Sequence, residues 1–207
     1  MCTEIIIATI MRPEGESGIQ THIQQFARYL RSQALRFVIV TPYSSPKPLV
    51  YPTFAVRKLL TPTNSAASVW WYRHWHQTFL KQALARRLAD GFPRVIYAQC
   101  ALSALAAISA RVNSSQRVVI AIHFNVSEAI EWAEKRSIAP EGRLYRSIQE
   151  QELEALRSVD GIVCVSDFMN RELHQRQIFG TNSIPRVVIP NFIADSGEPV
   201  VPLRAFN

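Results

Sequence analysis

Residues 117–128, RVVIAIHFNVSE, decide how this chain is read. The run Val118–Ile122 is apolar at every position and shows no alternation between a wet and a dry face. A strand of that kind is buried on both sides, which is the habit of strands in parallel sheets. Directly after it comes His123, and then Asn125 and Glu128 at the spacing of a capping box that opens a helix. Strand, polar turn and helix start therefore follow one another within a single short segment.

The same construction recurs on both sides of it. EIIIATI (4–10), FVIVT (37–41), RVIYA (94–98), GIVCV (161–165) and RVVI (186–189) are further buried-type strands, and FAVRKL (54–59) is a weaker one. Between them lie helical segments. Ile19, Ile23, Phe26, Ala27 and Leu30 fall at helical spacing, and 65–90, 100–112, 126–158 (broken near Pro140–Gly142) and 167–178 read as helices. Alternating strands and helices predict a doubly wound, Rossmann-like α/β domain: a mostly parallel sheet of about seven strands with helices on both faces. It is expected to fill residues 1–195, with 196–207 a Gly/Pro-marked tail or linker.

Composition narrows the class. A chain of 207 residues can bury a substantial core as one domain. No apolar run approaches the ~20 residues that cross a bilayer, and the N-terminus lacks the basic region of a signal peptide. Cys2, Cys100 and Cys164 show neither metal nor disulfide spacing, which suits a reducing compartment, with Cys100 and Cys164 as small core residues. A nicotinamide fingerprint, a Walker A loop and a G-x-S-x-G elbow are all missing. His74 and His76, two apart on a helix, point to different faces and read as surface residues, so neither a metal nor a cofactor is expected.

In such folds ligands bind beyond the carboxyl ends of the strands. Three junctions there combine a buried strand with a polar helix start: Ser17 and Gln20 around Gly18, Asn125 and Glu128 after His123, and Ser166 before Asp167. Free N–H groups at a helix start suit a phosphate, and the same residue types serve simply as caps. Asn125 and Ser166 read first as caps, and both readings stand for Gly18. The His123 imidazole can donate a proton to a ligand or accept one from it, and the alternative is a structural histidine.

Charge is distributed unevenly. No acidic residue lies between Glu16 and Asp90, and that stretch holds ten basic ones. It calls for an anionic partner: a membrane surface, a phosphorylated substrate or nucleic acid. Nucleic acid is disfavoured, because no recognition motif accompanies the charge. The helix over 65–90 gathers Trp70, Trp71 and Trp75 with Arg73, Lys81, Arg86 and Arg87, the composition of a helix lying in a membrane interface. The alternative is that its aromatics pack on the sheet and its cations are solvated.

Taken in order, SGIQTHIQQFARYL, RVIYAQC, VVIAIHFN, SVDGIVCVSDFMNREL and RVVIPNFIAD resemble the N-terminal half of the retaining glycosyltransferases of the GT-B fold, family four. There are departures. Ser17 stands where relatives carry the first of two glycines, Gln99-Cys100 stands where they often have a histidine, and the hinge reads Pro190-Asn191-Phe192-Ile193-Ala194-Asp195. The resemblance implies transfer of a sugar from a nucleotide-sugar to a glycan or lipid-linked acceptor, with retention and without a bound metal. It places His123 beside the transferred sugar and Gly18, with Ser17, facing the donor diphosphate. Asn125, Ser166 and Asn191 become cleft candidates. By the same analogy the chain stops at the interdomain linker, its partner is a C-terminal nucleotide-sugar domain, and alone it is inactive. The expected setting is cytoplasmic, peripheral on the inner face of a membrane. The alternative is a non-catalytic module of the same fold that binds carbohydrate or nucleotide, or docks on a membrane.

Overall fold

A computed structural model describes residues 3–12, 14–15, 17–123, 127–175 and 184–190. Strand β1 (Glu4–Ala8) leads to helix α1 (Gly18–Ser32) and β2 (Phe37–Val40). A 3-10 turn at Pro42–Ser44 then opens a helical hairpin, α2 (Lys47–Leu60) and α3 (Ser65–Leu88). The chain continues through β3 (Arg94–Ala98), α4 (Ala101–Ala110), β4 (Gln116–Ile122), α5 (Glu128–Glu134) and α6 (Arg143–Ser158). It closes with β5 (Gly161–Cys164), α7 (Asp167–Gln175) and β6 (Arg186–Val188).

Among the described residues the sheet has six strands in the order β2-β1-β3-β4-β5-β6, and every pairing is parallel. The seventh expected strand, 54–59, is a correction: it lies inside α2. Its side chains are claimed by α3 instead of a sheet edge. Phe54 stacks on His76 with ring centroids 4.1 Å apart, and the Trp71 indole N–H donates to the Thr53 carbonyl at 2.8 Å.

One face of the sheet presents Ile6, Ala8, Ile96, Ala98, Ile120, Ile122 and Ile162 to α3, α4, α6 and α7. Helix α4, ALSALAAISA, is apolar almost all round, and it packs between α3 and α6 as such a helix must. The opposite face is served by α1, whose Ile23, Ala27 and Leu30 close over Ile7. Burial of each such large side chain contributes about 1.5–3 kcal/mol. The strand order runs outward from β1 in both directions, so the fold opens a crevice between the carboxyl ends of β1 and β3.

Candidate active site at the carboxyl ends of the strands

The approach to α1 is built around Gln20. The Ser17 hydroxyl accepts from the Gln20 N–H at 3.4 Å, while Gln20 Oε1 accepts from the Ser17 N–H at 3.1 Å, completing the expected capping box. Gln20 Nε2 donates to the carbonyls of Arg12 at 2.9 Å and Glu14 at 2.6 Å, which laces the preceding loop to the helix. Gly15 has φ of +143°, and a Cβ there would lie 2.3 Å from the Gln20 amide, so only glycine fits. Gly18 differs: a Cβ would meet nothing within 4 Å, leaving open space ahead of the helix.

A cavity of about 250 Å³ lies in the predicted crevice, walled by Thr9 and Ile10 after β1, Gln99 and Cys100 after β3, and His123 after β4. Ile19, next to Gly18, joins the same wall. His123 Nε2 pairs with Gln99 Oε1 at 2.9 Å, and its ring meets His22 edge-on at 4.7 Å between centroids. Burial, followed by the neighbouring His22, pushes the His123 pKa down to about 4. His22 in turn is held by the Tyr97 hydroxyl at 3.1 Å. Burial also pushes the Cys100 thiol up to about 11, so it is a protonated wall group and no nucleophile.

Among the described residues two buried donors in this wall lack partners. Gln99 is 2% exposed, and its Nε2 makes no hydrogen bond. Arg73, 4% exposed, binds the Glu128 carboxylate through Nη1 and Gln151 Oε1 at 3.0 Å through Nη2, leaving its Nε–H unused. Behind them Glu152 organises the start of α5. It accepts from the Ser127 hydroxyl at 2.7 Å and from the N–H groups of Glu128 and Ala129. Desolvation raises the Glu152 pKa to about 7.

Several sequence expectations are corrected here. The cap of α5 is Ser127, not Asn125; Asn125 and Asn191 fall outside the described residues. Ser166 caps α7 as its first reading has it, accepting from the Met169 N–H at 3.2 Å, and does not line this cavity. Arg73 is no membrane cation, because it is buried and ion-paired within the cavity wall. Arg87 binds Glu4, and Arg86 reaches Ser45 Oγ at 3.1 Å, whereas Lys81 is exposed. Of the tryptophans, Trp70 is exposed, and Trp71 and Trp75 are half-buried. His76 is buried between α2 and α3, with its pKa pushed down to about 4. Cys164 is buried in the core, but Cys100 belongs to the cavity.

His22, Gln99 and Tyr72 were not foreseen as site residues, and Arg73 was foreseen only as a membrane contact. Gln99 had a signal: it follows β3 as His123 follows β4. His22 lies one turn beyond Gly18, on the face that carries Ile19 and Ile23. A larger cavity, about 690 Å³, sits at the opposite, amino edge, but its Glu4, Arg87, Asp90 and Arg94 neutralise one another. Among the described residues no three His, Cys, Asp or Glu side chains are grouped as metal ligands. A family model described as Glycosyltransferase Family 4 matches residues 17–196. No curated protein matches the chain significantly.

Proposed function

The chain belongs to glycosyltransferase family 4, and from that premise we propose that the cavity around His123 is the acceptor-side wall of a sugar-transfer site. The observation that carries this reading is the pair of buried donors, Gln99 Nε2 and Arg73 Nε, left without partners among the described residues beside a neutral histidine. An unsatisfied buried donor costs about 1–3 kcal/mol, a cost that a ligand rich in hydroxyl oxygens would offset. With Gln99 Oε1 as acceptor, His123 Nε2 carries the proton and Nδ1 holds a lone pair for a sugar hydroxyl. Because burial keeps the ring neutral, it positions the sugar by hydrogen bonding and adds no charge. Open space at Gly18 lets a donor diphosphate approach the α1 N–H groups. Leaving-group charge is stabilised by that helix end and by cations of a second domain that binds the nucleotide-sugar, with no bound metal and with retention.

The test is transfer by the full-length protein from UDP-, GDP- and ADP-sugars to glycan and polyprenyl-phosphate acceptors, with product anomers assigned by NMR. Retention is expected, and His123→Ala should lower kcat/KM about 100-fold. An inverted product, or full activity in the variant, would overturn the reading.

A second role is favoured by the outer face of the α2–α3 hairpin. Leu49, Pro52, Val56 and Leu59 follow one another at helical spacing on α2, with Leu49 59% and Leu59 73% exposed. Trp70 is 51% exposed on α3. Lying in the acid-free, basic half of the chain, this face suits an anionic bilayer, and we propose on that ground a reaction at the cytoplasmic side of a membrane. Among the described residues no helix is long and apolar enough to cross one. Vesicle sedimentation tests this role.

A further inference from the structure

A second cavity, about 440 Å³, adjoins the first and shares Ile10, Met11 and Tyr72 with it. Three cations line it: Arg12 from the loop after β1, and Arg57 and Lys58 from α2. The Arg12 guanidinium lies 4.7 Å from the Tyr43 ring centroid, and that of Arg57 lies 4.3 Å from the Tyr72 centroid. Arg12 also hydrogen-bonds the Tyr43 side chain, whereas stacking of the Arg57 kind orients a guanidinium and leaves in-plane N–H groups for an anion. Among the described residues none of the three forms an ion pair with a carboxylate. Elsewhere some arginines are matched by carboxylates: Arg73 by Glu128, Arg87 and Arg94 by Glu4, and Arg111 by Asp160.

We infer that this cavity is an anion subsite, taking a phosphate group carried by the acceptor while the acceptor's reacting hydroxyl reaches the His123 cavity. Exposed cations are ordinarily just solvated, but Arg57 is half-buried and sits in a wall that also holds Phe54, Tyr72 and His76. Among the described residues Glu14 is the one carboxylate lining the cavity, so with the three cations it leaves a net charge of +2. A phosphate monoester, at about −2, matches that charge and can accept from both guanidinium forks. The shared wall of Ile10, Met11 and Tyr72 places the anion one side chain away from the proposed reaction centre. The role as an acceptor subsite rests on the transferase reading; the anion site itself does not.

The experiment titrates the full chain with glucose, glucose 6-phosphate and inorganic phosphate, followed by amide NMR shifts and calorimetry. Glucose 6-phosphate should bind about tenfold tighter than glucose, with shifts at Arg12, Arg57 and Tyr72. The Arg57→Gln/Lys58→Gln pair should erase that advantage without loss of melting temperature. Arg12→Gln, on a different segment, should weaken it independently. A vesicle arm separates the sources: binding to phosphatidic acid vesicles that glucose 6-phosphate displaces assigns the site to a lipid headgroup, and binding of the soluble ester without vesicle binding assigns it to a free phosphorylated acceptor. Equal affinity for glucose and glucose 6-phosphate, or an advantage that survives in all variants, would overturn the inference. Transfer to neutral acceptors with no phosphate preference would overturn it and leave the proposed function intact. Phosphate binding at these residues by a protein that transfers no sugar would keep the anion site and sink the transferase reading.

Discussion

His76 and His123 are held neutral by burial, and Glu152 is held protonated to unusually high pH by the same cause. The signs oppose each other. A histidine whose folded pKa of about 4 lies below its ordinary 6.5 supports the fold above pH 6.5 and withdraws that support as pH falls toward 4. Glu152, raised from 4.5 to about 7, gives its contribution below 4.5 and loses it as pH rises through 7. Glu152→Gln should therefore gain melting temperature relative to the native chain as pH climbs from 4.5 to 7, and no further above it. A difference independent of pH would show that Glu152 ionises normally. Glu152 also explains why the wrong cap was read from sequence. Asn125 had the right spacing to Glu128, but Ser127 is fixed by a carboxylate twenty-five residues away, which local pattern does not contain. By contrast, Ser17 and Gln20 were legible because every contact of that capping box is local.

Among the elements, α2 is where pattern and structure part. FAVRKL has the β-branched, apolar look of a strand, and the prolines at 46, 48 and 52 argue for a loop. Pro46 and Pro48 sit at the helix start, where a missing N–H is harmless, and Pro52 is tolerated inside because α3 packs along the helix. The hairpin then hides Phe54 and leaves Leu49 and Leu59 outside. Helix α3 was placed correctly, but its polar residues misled. Arg73 and His76 sit on the buried face with Val69, Leu80 and Leu84, and side-chain type alone argues for the opposite face. The docking role belongs at this scale. At low salt the protein should sediment with phosphatidylglycerol vesicles and not with phosphatidylcholine ones. Leu59→Glu with Trp70→Ser, both at exposed positions, should weaken that about tenfold. Equal recovery from both vesicle types, or no effect of the pair, would remove the membrane from the account.

At the scale of the whole molecule, the parallel sheet and its ligand-binding edge were legible because fully apolar strands alternate with helices, and chain connectivity then dictates where crevices open. The position of His123 followed from that rule. Its neighbours did not, since His22, Gln99 and Arg73 converge from α1, the end of β3 and α3, which are far apart in sequence. The basic excess of the first half was visible, but the pairing of Arg73 and Arg87 with carboxylates and the gathering of Arg12, Arg57 and Lys58 around one cavity needed coordinates. Amide-shift mapping of the labelled chain with a panel of nucleotide-sugars and simple glycans compares the two edges of the sheet directly. Shifts gathered at Ile10, Gly18, Ile19, Gln99, Cys100 and His123 are the predicted result. Shifts gathered instead at Glu4, Arg36, Asp90 and Arg94 would contradict the account, because they would put the sugar at the amino edge, away from every group assigned to its transfer.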